Sequence, residues 1–305
     1  MSLILHVERY VELNRTLGYK FADNERVLRE YAEFATAFGD EWTRSDRIID
    51  WASKGTSPNR ASRKLQIARN FALSLHAEDA RHEVPPSEAV GRRNPSRPSP
   101  YLLTRAQVRQ VMDAALSLPT RDPIAPYTWH YLFGLMAVTG IRRSEALALQ
   151  LSDITSDGLL VRESKFRKSR LLPLHEDTWR ALEEYVAIRK RLGGPGEHLF
   201  VLATGKPPAG PTATRAFLRL LRQLGLRGQP GEPGPRLHDL RHSYCVWVLE
   251  SLDSEEDPSR HMLALSTYLG HSNLANTYWY LKATPPLLRR IAEKAERVQT
   301  GRTQQ

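Results

Sequence analysis

The sequence predicts a mainly α-helical protein with a small antiparallel β-sheet, arranged as a helical first domain and a mixed α/β second domain. Three observations carry this. Apolar residues recur at helical spacing through residues 1–84. A Pro- and Arg-rich stretch interrupts the chain at residues 85–100. Beyond it, helical segments are broken by one pair of short β-patterned runs around a basic turn. With 305 residues the chain is long enough to bury two separate cores.

In the first domain, Leu3, Ile4, Val7, Tyr10 and Val11 form one helical stripe, and Val27, Leu28, Tyr31 and Phe34 form another. From Pro58 to Leu75, the apolar residues Leu65, Ile67, Phe71 and Leu73 alternate with Arg60, Arg63, Lys64 and Arg69. That segment has one face to bury and one basic face, which is either solvated or turned to a nucleic acid. The run VPPSEAVGRRNPSRPSP then holds five prolines. It can neither continue a helix nor join a sheet, so residues 85–100 read as an extended linker. Arg92 and Arg93 within it are placed to follow a phosphate backbone.

In the second domain, residues 101–305, TRAQVRQVMDAAL opens with Thr104 as an N-cap and is helical to Leu116. Tyr127 to Thr139 is strongly apolar and closes at Gly140, a C-cap glycine. Ser144 is the candidate cap of the next helix, to Leu151. GLLVRE (158–163) and RLLPL (170–174) read as strands joined by SKFRKS, a turn presenting Lys165 and Lys168. Helices follow at 176–192 and 212–224, the second carrying Arg215, Arg219 and Arg222 at i, i+4, i+7. A Gly/Pro-rich loop, 225–236, leads into a helix beginning near His238. Near the end, Leu288, Ile291, Ala295 and Val298 form an apolar seam on a helix of about 286–298.

The longest mostly apolar run, Tyr131 to Ile141, falls well short of the roughly 20 residues of a membrane helix. The N-terminal MSLILHVERYVEL meets charge too early for a secretory apolar core. The single cysteine, Cys245, forms no internal disulfide and fits a cytoplasmic protein. Lys and Arg number 44 against 34 Asp and Glu, a net charge of +10. Such an excess favours a polyanionic partner, most often nucleic acid.

The chemistry-bearing motifs follow from this partner. In LHDLRHSYCV, His238 and Arg241 stand three apart and share a helix face. A guanidinium grips phosphate oxygens and an imidazole moves protons near neutral pH. HDLRH also resembles the zinc-binding HExxH, with His238 and His242 as ligands, but Asp239 and Arg241 fit a cation poorly, so no metal is expected. In TGIRRSEAL, Arg142 lies between two helices, and Glu145, three residues on, is placed to hold its guanidinium. The stretch GHSNLANTYWYLK then sets three aromatics behind His271. On a helix Tyr278 and Tyr280 point roughly 200° apart, so one pocket takes only one of them.

TGIRRSE, KFRKSRLLPL, HDLRH and LGHSNLANTYWY, in this order, resemble the tyrosine recombinase (phage-type integrase) family, and within it the enzymes of transposons and other mobile elements. The resemblance runs from about Tyr101 to Arg290, and the helical first domain looks like the family's core-binding domain. It implies catalytic roles for Arg142, Lys165, His238, Arg241, His271 and the nucleophile Tyr280, nine positions beyond His271, with Glu145 in support. Tyr278 and Trp279 are then packing. It further implies cleavage and rejoining of double-stranded DNA through a 3′-phosphotyrosyl intermediate, without metal, ATP or other cofactor. The partners it implies are paired recombination sites, a homotetramer on them, and accessory recombinases or host factors. Arg60, Arg63, Lys64, Arg92, Arg93, Lys168, Arg215, Arg219 and Arg222 are the candidate DNA contacts. The acidic insert 251–259 departs from the family pattern between the motifs rather than within them. A type IB topoisomerase and an idle DNA-binding protein on the same fold are the alternatives.

Overall fold

Helical periodicity decides most of the chain, and the core follows from it. The computed structural model describes residues 2–54, 57–91, 100–162, 169–251, 258–270 and 289. The chain divides into two compact units, Met1–Pro98 and Ser99–Gln305.

The first unit holds α1 (Leu3–Thr16), α2 (Ala22–Ala37), α3 (Ser45–Ser53) and α4 (Pro58–His76). The Ser2 hydroxyl accepts from the Leu5 amide at the start of α1, and Pro58 occupies the first turn of α4, where its missing N–H costs nothing. Leu3, Val7 and Val11 bury against Leu28 and Tyr31 of α2, Ile48 and Trp51 of α3, and Leu65 and Phe71 of α4. Helix α3 is not among the segments read from periodicity; with nine residues it offers too few turns to establish a repeat. Residues assigned by composition to the linker begin inside this unit. The Pro85 carbonyl accepts from Arg69 Nε at 3.0 Å, and Val90 packs on the core.

The second unit holds α5 (Arg105–Leu116), α6 (Ala125–Thr139), α7 (Arg143–Ala148), β1 (Ile154–Thr155), β2 (Gly158–Val161), β3 (Arg170–Leu172), α8 (Glu176–Leu192), α9 (Gly210–Gln223), α10 (Asp239–Glu250) and α11 (Pro258–Leu269). Thr104 and Gln107 cap α5 reciprocally, each side chain accepting the other's backbone N–H. Helix α6 is apolar all round and packs against α5, α8, α9 and α10. Its Leu132, Phe133, Leu135 and Met136 are buried, each worth about 1.5–3 kcal/mol of apolar burial. This central rod fixes where its C-terminus, and hence Arg142, lies.

The three strands form one antiparallel sheet in the order β1-β2-β3. Leu159 pairs with Leu172, Leu160 with Leu171, and Val161 with Arg170. Leu159, Val161 and Leu172 are buried, so the sheet turns that face to the core. Strand β1, of two residues, is too short to leave a sequence pattern. The fold class is the one the sequence predicts. Pro258 and Ser259, the end of the acidic insert, open α11. Among the described residues, no helix is long and apolar enough to cross a membrane.

Candidate active site

Helix α6 ends where Gly140 takes a left-handed conformation, φ +60°. A Cβ there would sit 2.5 Å from Tyr244 Cδ1, so both the backbone and the packing call for glycine. The reversal delivers Arg142 to the start of α7. Arg142 itself is the N-cap, and Ser144 lies inside the helix rather than capping it. The capping carboxylate is Glu145, whose Oε2 accepts from the Arg142 amide at 3.1 Å.

Glu145 also organises the side chain of Arg142. Its Oε1 accepts from Arg142 Nη1 at 2.6 Å. The same carboxylate receives a second guanidinium, that of Arg170: Nη1 donates to Oε1 at 3.1 Å and Nη2 to Oε2 at 2.8 Å. Burial alone would raise the Glu145 carboxyl, but the hydrogen bonds and charge of Arg170, then of Arg142, outweigh it and bring the pKa down to about 2. Arg170 was not singled out from sequence, where it reads as an ordinary strand residue. The available signal was period two: Arg170 shares a strand face with buried Leu172, and an inward arginine needs a buried acceptor.

The second arginine hangs from the same helix ends. Arg241 is buried to 1 % exposure, with Nη1 donating to the Gly140 carbonyl at 2.6 Å and Nη2 to that of Leu269 at 2.9 Å. Arg142 Nη2 donates to the next carbonyl, Gly270, at 2.7 Å. The C-termini of α6 and α11 thus converge on two guanidiniums. Their helix dipoles place partial negative charge there, which offsets the burial of cations. Arg142 keeps 24 % of its side chain exposed, which leaves it open to an anion.

His238 is the N-cap of α10. Although one side of it is exposed, the surrounding protein and the charge of Arg241, with smaller contributions from Arg142 and Arg236, push its imidazole down. The ring is therefore neutral at neutral pH and stands edge-on to His242, 4.7 Å between centroids. Asp239, fully buried, accepts from the Arg236 amide at 2.7 Å and from the Arg236 guanidinium. Among the described residues no three His, Cys, Asp or Glu side chains gather as metal ligands.

The structure brings Arg142, Glu145, His238 and Arg241 together. Lys165, Lys168, His271 and Tyr280, together with Arg92, Arg93 and the 286–298 helix apart from Arg289, lie outside the described residues. Of the basic candidates in the first unit, Arg63 is ion-paired to Asp23, Lys64 lies over the Trp51 ring at 4.4 Å, and Arg60 is exposed. On α9, Arg215 and Arg219 are exposed, while Arg222 is half-buried and donates to the Gly228 carbonyl at 3.3 Å. This helix is tied to α7 by Arg143, which donates to Thr214 Oγ1 at 2.8 Å.

The chain is 36% identical over 308 residues to y4rB of Sinorhizobium fredii (strain NBRC 101917 / NGR234), a protein named as an integrase/recombinase, covering 97% of this chain and 98% of that one. Its fold is similar to that of the Tn1549 transposon integrase in complex with transposon right end DNA. There the TM-score is 0.66 at 17% identity, over 96% of this chain and 99% of that one. It is also similar to the lambda integrase tetramer bound to a Holliday junction. In that case the TM-score is 0.62 at 20% identity, over 91% of this chain and 77% of that one. The sequence model of the phage integrase family matches residues 102–285, which include Arg142, Glu145, His238 and Arg241, and the chain belongs to that family.

Proposed function

We propose that the protein is a site-specific recombinase that cleaves and rejoins double-stranded DNA through a 3′-phosphotyrosyl intermediate, in the integration, excision or transposition of a mobile element. The observation that carries this is the pair of guanidiniums, Arg142 and Arg241, held on adjacent carbonyls of one helix end with neutral His238 beside them. Two fixed cations at one place suit a phosphodiester whose non-bridging oxygens gain charge in the transition state.

In the step itself, Tyr280 Oη attacks the scissile phosphorus and the bond to the 5′ oxygen breaks. A free phenol has a pKa near 10, so a tyrosine nucleophile needs help at neutral pH. His238 takes up its proton, and the two guanidiniums favour the phenolate. Lys165 protonates the departing 5′ oxygen. The phosphotyrosyl linkage keeps the energy of the phosphodiester, so a 5′-hydroxyl from another strand reverses the step without ATP. The chain itself supplies the charges, and no metal or cofactor enters the scheme. The related integrases bound to DNA ends and as a tetramer on a Holliday junction support double-stranded sites and a tetramer as the partners here.

The test is covalent trapping. The protein is incubated with duplex DNA from the flanks of its own gene, quenched with SDS, and the DNA-linked peptide is identified. An adduct lost in Tyr280→Phe and retained in Tyr278→Phe is the expected result. An adduct that survives in Tyr280→Phe overturns the nucleophile, and relaxation of supercoiled DNA without site dependence favours a topoisomerase.

A further inference from the structure

The carboxylate that holds Arg142 is shared with a residue that the proposed chemistry does not use. Arg170 makes two parallel N–H···O bonds to Glu145, and its Nε donates to the Tyr268 carbonyl at 2.9 Å. Only 12 % of its side chain is exposed. One guanidinium therefore joins three segments: β3 at the root of the hairpin, α7 through Glu145, and the end of α11. Gly270 Cα lies against it, since a Cβ there would sit 3.1 Å from Arg170 Nη1. The peptide of Gly270 is the one whose carbonyl Arg142 holds.

We infer that Arg170 is a positioning residue for DNA cleavage: through Glu145 and the α11 terminus it fixes the guanidinium of Arg142 against the scissile phosphate. The inference rests on the recombinase reading above. Without Arg170, both carboxylate oxygens are held by Arg142 alone, through its amide and its guanidinium, so the carboxylate and that side chain can shift together. The fork from Arg170 removes that freedom, so the Oε1 that receives Arg142 Nη1 keeps one direction. Lysine in this place retains the charge but cannot make the fork and the Tyr268 bond together. Arg170 thus acts by geometry as well as by charge, and through Arg142 rather than on the DNA.

The test compares the full chain with its Arg170→Lys and Arg170→Met variants in single-turnover cleavage. The probe is a nicked duplex centred on the phosphate that the wild type attacks, made once as the phosphodiester and once with a methylphosphonate at that position. A misplaced guanidinium is expected to slow phosphodiester cleavage by about 10- to 100-fold. The methylphosphonate lacks one charged oxygen and so needs one cation fewer. On it, both variants should return to within about threefold of wild type, as Arg142→Ala should, whereas Lys165→Ala stays slow because the leaving oxygen still needs its proton. Equal losses on the two substrates, or wild-type rates for both variants, overturn the inference. A wild type that forms no adduct on duplex DNA from the flanks of its own gene, so that no attacked phosphate is found, overturns the recombinase reading instead. Arg170→Lys, which keeps a cation beside Glu145, serves as the readout where Arg170→Met unfolds.

Discussion

Glu145 is the residue that holds the guanidiniums of Arg142 and Arg170, and its buried charge makes a prediction about acid. Its carboxyl titrates near 2 in the folded chain, below the ordinary glutamate value near 4.3. A depressed carboxyl contributes stability that is fully present above the unfolded value and is lost as pH falls through the folded one. The window is therefore about pH 4.3 down to 2, and the contribution about 3 kcal/mol. Urea unfolding of the wild type should weaken across that window, and Glu145→Gln should show a correspondingly shallower dependence, with lower stability at pH 7. Identical pH slopes in the two proteins would refute the linkage. His238 has the opposite protonation logic. Its lowered pKa keeps it neutral at pH 7, the form that accepts a proton from a phenol.

At the scale of elements, the site is a junction of helix ends, and Gly140 is its tightest point. Gly140→Ala combines an unfavourable φ with a 2.5 Å approach to Tyr244. We expect a loss of about 2–3 kcal/mol in thermal or urea unfolding. The carbonyl that holds Arg241 should also shift, so cleavage should fall more than DNA binding does. An alanine variant with wild-type stability would show that the α6 terminus relaxes freely. The sequence made much of this element layer legible. Helix α8 was readable over Glu176–Leu192 because one apolar stripe and acidic first-turn residues agree. The cap of α5 was readable from Thr104, and the turn after α6 from Gly140. Missing were α3 and β1, too short for a period to build up, and the cap of α7. Ser144 has the side chain of a cap but lies inside the helix, where Arg142 is the N-cap and Glu145 accepts its amide. Within the site, spacing paired Arg142 with Glu145 and His238 with Arg241 as candidates, while their catalytic roles were implied only by the resemblance to the phage-type integrases. Arg170 was not legible, because its partner lies 25 residues away on α7 and only the placement of that helix beside β3 brings the two together.

For the whole molecule, the net charge of +10 acts at a distance, and α9 is where it can be dissected. The buried Ala213, Phe217, Leu220 and Leu221 hold one face of the helix in the core. Arg215 and Arg219 stand exposed, with Arg222 half-buried beside them. Arg215 bonds Thr212 Oγ1 on the same helix, and Arg143 joins α9 to the helix that begins at Arg142. A basic face tied in this way to the helix that Arg142 caps would hold a phosphate backbone in register with Arg142. If so, the stripe contributes counterion release, and each phosphate contact adds about 0.9 to the slope of log K against log salt. Arg215→Gln, Arg219→Gln and Arg222→Gln combined should lower the slope for a nonspecific duplex by about 2–3, and weaken binding by similar factors on specific and unrelated sequences. Fluorescence anisotropy over a salt series measures both. A triple variant with an unchanged slope would mean that this face is merely solvated, and the excess charge that binds DNA would then have to be sought on other surfaces of the chain.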